Sequence, residues 1–315
     1  MTYVLALVVL VLALPWGVAW LVRRLAALLP PREACWALTG AAVLMAGGTI
    51  AVLAGLFHVP LLASLERLPL GRVLEEWPAA VPAACVAGVA LAFQLVLLVR
   101  RWRKHRSSLK RAWQSAGGGV HDGDVLVLPG DEVDAFALPR YRRRPARVVM
   151  TSGMVAALKP GEHAALLAHE RAHLAGRHHV LAAVADLSAM VHPAVRSLTK
   201  LLEFHLERWA DEAAAIAVGD RKVMAGAIAR AALAGAAQRR RPDAGYPVLS
   251  ATTGPVPQRV EALLLPRPAA PQRGARRAEA WGLTLTVALS TVAAVAVAYG
   301  LHEYVEYAAS AVRGG

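Results

Sequence analysis

Four stretches of this chain run for about 20 residues or more without a charged side chain: Tyr3 to Val22, Ala34 to Phe57, Ala79 to Val99 and Trp281 to Leu301. A helix rises about 1.5 Å per residue, so each stretch covers the roughly 30 Å of hydrocarbon in a bilayer. The chain therefore has to fold partly in lipid. Of its 315 residues, 57% are hydrophobic and 18% charged, which excludes a disordered chain. Cys35 and Cys85 both sit inside apolar stretches, where they read as small hydrophobes, so no disulfide framework is expected. Pro82 and the Gly47-Gly48 pair are tolerable within spans. The first stretch has no basic residue before Arg23 and is longer than a secretory signal core, so it reads as a retained span.

Charge in the connections sets the expected orientation. Arg23, Arg24 and Arg32 follow the first span, and the third runs directly into RRWRKHRSSLKR. The connection between the second and third holds Arg67 and Arg72 against Glu66, Glu75 and Glu76, while Arg273, Arg276 and Arg277 precede the fourth span. Both termini are expected outside a cell membrane. Residues 1–100 then hold three transmembrane helices (3–22, 34–57 and 79–99), 101–280 form a cytoplasmic domain, 281–301 are the fourth helix and 302–315 a short external tail. The net charge of +13 invites a nucleic-acid partner. Basic residues beside an anionic leaflet are favoured by about 1 kcal/mol each, however, and no nucleic-acid-binding signature accompanies them. The lipid bilayer is the expected partner, and direct nucleic-acid binding is not.

Inside the domain, DVLVLPGDEVDAFALP and ARVVMTSGMV read as strands bounded by Gly, Pro and Asp. The pattern then turns helical, with one helix from near Gly161 to about Arg177 and a second from after His192-Pro193 to Gly219. Val180 to Val191 is apolar but holds Asp186 and is too short to span, so it reads as a core or interfacial helix. Residues 235–280, dense in Pro, Gly, Arg and Ala, read as irregular loop with a helical piece around Val260 to Leu265. There are no internal repeats.

The chemistry is concentrated in HERAH, His169 to His173. Residues four apart share a helix face, so His169 and His173 can present imidazole nitrogens to one zinc ion, with Glu170 beside them as a base. A random chain of this composition would contain the pattern roughly 0.02 times. A third ligand has to come from elsewhere, and His178, His179, His192, Glu203, His205 and Glu207 all follow. Glu207 and Asp211 lie four apart on the next helix, so Glu207 can complete a two-His, one-Glu site while Asp211 orients a ligating His. Glu203, one turn earlier on that face, is the reserve. His178 and His179 fall beyond the face that carries the pair, where a His more often meets the helix dipole. His205 points away from Glu207, as a packing or surface residue, although binding of a developing oxyanion is conceivable for it.

AFALP at Ala135 to Pro139, RVVMTSGMVAAL, HERAHLAGRH and ERWADEAA together resemble the membrane gluzincin metallopeptidases. The branch of HtpX and the CAAX prenyl proteases shares these motifs. The arrangement is more similar to the BlaR/MecR antirepressor peptidases, metallopeptidase family fifty-six, in which three spans precede the peptidase domain, a fourth follows it and an HP dipeptide opens the helix of the third ligand. The resemblance implies an α-helical integral membrane protein with four transmembrane helices and an inserted α+β gluzincin-type zinc metallopeptidase domain. It implies one zinc ion per chain on His169, His173 and Glu207, with Glu170 as catalytic base, Asp211 behind a ligand and Arg259 of PVPQRVEALL matching an Arg of these peptidases. BlaR and MecR carry a penicillin-binding sensor after the fourth span, whereas 14 residues follow Leu301 here. β-Lactam sensing is therefore not expected, and a separate sensor partner or the spans themselves would carry a signal.

The expected activity is hydrolysis of peptide bonds in a cytoplasmic or membrane-proximal protein, with a transcriptional repressor as the substrate suggested by the resemblance and HtpX-like quality control as the alternative. Asp134 to Leu138 is the candidate edge strand for substrate, being short and closed by Pro139. A non-enzymatic transducer with a structural zinc site would not need Glu170. A transporter is disfavoured because the four stretches hold no ionisable side chain.

Overall fold

The computed structural model describes residues 2–65, 78–239, 255–266, 282 and 285–303. The expected outer connection between the second and third spans, the basic Arg273, Arg276 and Arg277, and the tail beyond 303 lie wholly or largely outside them. Helices α1 (Thr2–Ala26), α2 (Pro31–Leu65) and α3 (Ala80–Ser115) come first, followed by a four-stranded sheet. Its strands are β1 (Val120–Asp122), β2 (Val125–Leu128), β3 (Ala135–Leu138) and β4 (Arg147–Thr151). Helices α4 (Ser152–Ala157), α5 (Pro160–Ala175), α6 (His178–Val191), α7 (Arg196–Val218), α8 (Arg221–Arg239) and α9 (Val256–Leu264) follow. Helix α10 (Leu285–Glu303) ends the described chain.

Four helices are long and apolar enough to cross a membrane, with spans at Val8–Ala26, Pro31–Pro60, Ala80–Gly118 and Leu285–Glu303. The fourth lies close to the position read from sequence. The third does not stop at Val99. Arg, Lys, Leu, Ala and Gln are good helix formers, and α3 continues through the basic stretch until Gly117 to Gly119. At 36 residues it reaches about 54 Å, long enough to leave the bilayer and carry the sheet. Trp113 near its end donates its indole N–H to Pro139 O at 2.9 Å and packs with Ala116, Leu126, Leu138 and Val149.

The sheet order is β1-β2-β4-β3, so β3 forms an edge. β1 pairs antiparallel with β2, β2 parallel with β4, and β3 antiparallel with β4, where Ala137 stands opposite Val148. Thr151 N–H donates to Asp134 O at 3.0 Å. By the two-residue alternation of an antiparallel ladder, Phe136 and Leu138 then bond to β4, while Ala135 and Ala137 turn their N–H and C=O groups to the open edge.

Three boundaries differ from those read in the sequence. Ser152 to Val155, read as the end of a strand, open helix α4, because the Thr151 hydroxyl accepts the Met154 N–H and caps a helix there. Residues 235–239, read as loop, belong to α8, whose Ala-rich run is helical to Arg239. The helical piece expected around Val260 begins at Val256, with Pro257 in its first turn where a missing N–H costs nothing.

Helix α6, read as a core or interfacial piece, packs in the core through Leu181, Ala185 and Ala189. It runs antiparallel beside α3: Arg101 Nη2 and His105 Nε2 each lie 2.7 Å from Asp186, and Gln94 donates to Val191 O at 3.1 Å. His192 Nε2 then meets Leu12 O at 3.1 Å inside the first span. Leu12 stands eleven residues before Arg23, about 16 Å along the helix, so the His192-Pro193 turn reaches well into the apolar bundle. One cluster joins Val18, Val22, Leu38 and Met45 of the spans to Leu181, Ala185, Leu198, Leu202 and Leu206. The hairpin of α6 and the first half of α7 is thus packed among the apolar helices, where Asp186 and His192 find polar partners.

Candidate metal centre

Helix α5 begins where Pro160 fixes φ and the Glu162 carboxylate accepts the Lys159 N–H at 3.0 Å. Its i, i+4 spacing puts His169 and His173 on one face, with ring centroids 4.7 Å apart. Helix α7, ended by Gly219 at φ 72°, lays Glu207 and Asp211 against that face. Nε2 of His173 is 3.1 Å from Nε2 of His169 and 3.4 Å from Oε1 of Glu207, and His169 Nε2 is 3.6 Å from Glu207 Oε2. Tetrahedral zinc with bonds of about 2.0–2.1 Å holds its donors about 3.3 Å apart. The three distances, taken to the nearer Glu207 oxygen in each case, bracket that value. Among the described residues, His169, His173 and Glu207 are the group that could hold a metal ion.

Asp211 takes the position expected of it, with Oδ1 3.0 Å from His169 Nδ1, the nitrogen on the far side of the ring. Arg259 ties the arrangement together. It is 1% exposed and makes a two-pronged bond to Asp211 at 2.8 and 2.6 Å, while its Nη1 lies 2.8 Å from Glu207 Oε2. The sequence offered Arg259 through resemblance alone; the structure sets it between buried Asp211 and half-buried Glu207, whose charges it balances. Glu203 is exposed and outside the cluster, and His179 is exposed. His205 is buried on the opposite side of α7, next to the Leu202 and Leu206 face that meets the spans, so it is not positioned to bind an oxyanion here. His192 belongs to the hairpin turn. His178 does not project onto the end of α5; it folds back to place Nδ1 2.8 Å from His173 Nδ1.

The electrostatics suit a dication. Burial opposes a charge on His169, but contacts with Asp211 and Glu207 outweigh it and push its pKa up to about 10. Positive charge is what this pocket of carboxylates demands, and a metal ion displacing that proton supplies it. Burial, reinforced by His169, lowers His173 to about 3. Burial also raises Glu170 to about 7, with His169 opposing. Glu170 is 3% exposed and accepts a hydrogen bond from the Ala137 N–H, so the outer edge of β3 faces its carboxylate.

Residues 103–196 match the family model of peptidase family M48. The match supports a metallopeptidase function for this chain. It takes in the extension of α3, the sheet, and His169, Glu170 and His173; Glu207, Asp211 and Arg259 lie past its end and stand on their geometry. The match is to M48 and does not extend to the BlaR/MecR-type assignment suggested by the sequence. Comparison with curated proteins and with solved structures gave no match.

Proposed function

We propose that this chain is a membrane-embedded zinc endopeptidase. The observation that carries the reading is the set of three donors at tetrahedral spacing with a buried Glu170 beside them and a free strand edge alongside. His169, His173 and Glu207 hold the ion. Bound zinc supplies a Lewis acid for the scissile carbonyl and lowers the pKa of water toward about 7. Glu170 takes the proton of the attacking water and delivers it to the leaving amine. Asp211 and Arg259 hold His169 and Glu207 in place. Because Glu170 must be ionised to accept that proton, hydrolysis falls as pH drops, with the acid limb at or below about 7, since a neighbouring dication pulls the carboxyl down from its metal-free value. A profile of kcat against pH checks this.

Substrate lies extended along β3, pairing with Ala135 and Ala137. Ala137→Pro removes the N–H that Glu170 accepts and, by fixing φ, disturbs the neighbouring edge groups, so kcat falls and KM rises, with kcat/KM down at least about tenfold, the equivalent of one lost backbone hydrogen bond. Zinc content stays normal. An unchanged KM in a folded, zinc-loaded variant would remove β3 as the docking edge.

The peptidase domain faces the cytoplasm and both termini lie outside the cell membrane. Reporter fusions after residue 120 then read cytoplasmic and fusions at Gly315 external; a cytoplasmic reading at Gly315 contradicts the orientation. Substrates are cytoplasmic or membrane-proximal proteins, with a transcriptional repressor in a BlaR/MecR-like pathway as the first candidate. A second reading, quality control of membrane proteins, is favoured by the packing of the α6–α7 hairpin among the spans, which sets the metal cluster about 12 Å along α6 from Asp186 and Arg101. Proteomes of wild-type cells and cells carrying Glu170→Gln separate them. A cleaved DNA-binding protein lost in the mutant supports the first, and accumulated membrane-protein fragments support the second.

A further inference from the structure

His178 stands outside the ligand set, yet it is 3% exposed and its Nδ1 lies 2.8 Å from Nδ1 of His173. The local backbone is shaped around this contact. Gly176 closes α5, and Arg177 takes φ 50°, a left-handed conformation uncommon for a residue with a Cβ, so that α6 starts with His178 turned back toward α5. A Cβ on Gly176 would run into His178 Nε2. The opposite side of the ring packs on Trp209, with centroids 4.5 Å apart.

The direction of the hydrogen bond follows from the ligand geometry. Nε2 of His173 faces His169 Nε2 and Glu207, so it is the coordinating atom and carries no proton. The ring proton of His173 is therefore on Nδ1, and the neighbour 2.8 Å away has to accept it. We propose that His178 is the positioning residue for His173, accepting its Nδ1–H and thereby fixing the tautomer and ring orientation in which Nε2 binds the metal. His169 has a carboxylate, Asp211, in the equivalent place; His173 has a neutral imidazole. The two ligands are thus held by partners of different basicity, a common means of setting ligand orientation and metal affinity.

This inference rests on the metal site proposed above, and metal binding tests it separately from activity. Full-length protein in detergent is titrated with zinc against a competing chelator, and with cobalt to read the ligand-field spectrum. His178→Leu weakens zinc binding about 10- to 100-fold and shifts the cobalt bands, because His173 is free to rotate or change tautomer. His178→Asn, whose amide oxygen can take the place of Nδ1, recovers most of the affinity and the wild-type spectrum. Wild-type affinity and spectrum in His178→Leu overturn the proposal, as does an Asn variant no better than Leu, which would assign His178 to packing alone. Wild-type protein that binds neither metal overturns the site itself, whereas metal binding without hydrolysis leaves the positioning role standing and removes only the peptidase reading.

Discussion

Glu170→Gln is expected to lower kcat by about 10²- to 10⁴-fold, the usual contribution of a positioned proton-transfer group, and to leave metal content unchanged. Glutamine fills the same buried space and can still meet the Ala137 N–H through its amide oxygen, so the strand edge and α5 stay in register. It cannot accept the proton of the attacking water. Comparing hydrolysis of an unstructured protein substrate with zinc content on the same preparation checks both halves. Loss of metal together with loss of activity would assign Glu170 to ligation instead.

The second large effect concerns Arg259. Replacing it with Met keeps much of the volume but strands Asp211 and Glu207 with unanswered charge in the interior. Removing one partner of a buried ion pair costs about 3–5 kcal/mol, and the bonds to Asp211 at 2.8 and 2.6 Å make this a strong case. Denaturant unfolding of the metal-free protein in detergent measures it. Arg259→Lys recovers little, since an ammonium cannot reproduce the fork that spans both carboxylates. The same pair sets an acid limit. Burial would raise Asp211, but Arg259 and His169 more than offset it and hold the carboxyl at about 2. A depressed carboxylate contributes its stability above the unfolded value near 3.8 and loses it as pH falls toward 2, so Arg259→Met flattens the stability profile across that window.

The nearness of His169 and His173, with Glu170 beside them, was legible because the pair lies on one helix at a spacing that forces a shared face. The approach of Glu207 and Asp211 to that pair was legible for the same reason, since they lie four apart on the next helix. Arg259 was legible only by likeness, since 48 residues separate it from Asp211 and nothing local announces where it folds. His178 was read as a dipole contact because its actual place depends on the left-handed turn at Arg177, which an ordinary helix end would not produce. The spans followed from length and apolarity. The extension of α3 did not, because a dense basic run reads as a membrane junction although its Arg, Lys and Leu residues favour helix. Helix α6 was legible as a core or interfacial helix too short to span, but the pairing of Asp186 with Arg101 and His105 was not, since 85 and 81 residues separate them.

The central claim is that His169, His173 and Glu207 hold a catalytic zinc ion. Elemental analysis of detergent-purified protein tests it most directly, comparing wild type with Glu207→Ala and with Glu207→Ala, Glu203→Ala. About one zinc per chain is expected in wild type, with marked loss in both variants and no further loss from Glu203, which lies outside the cluster. Full zinc stoichiometry in the double variant would contradict the account.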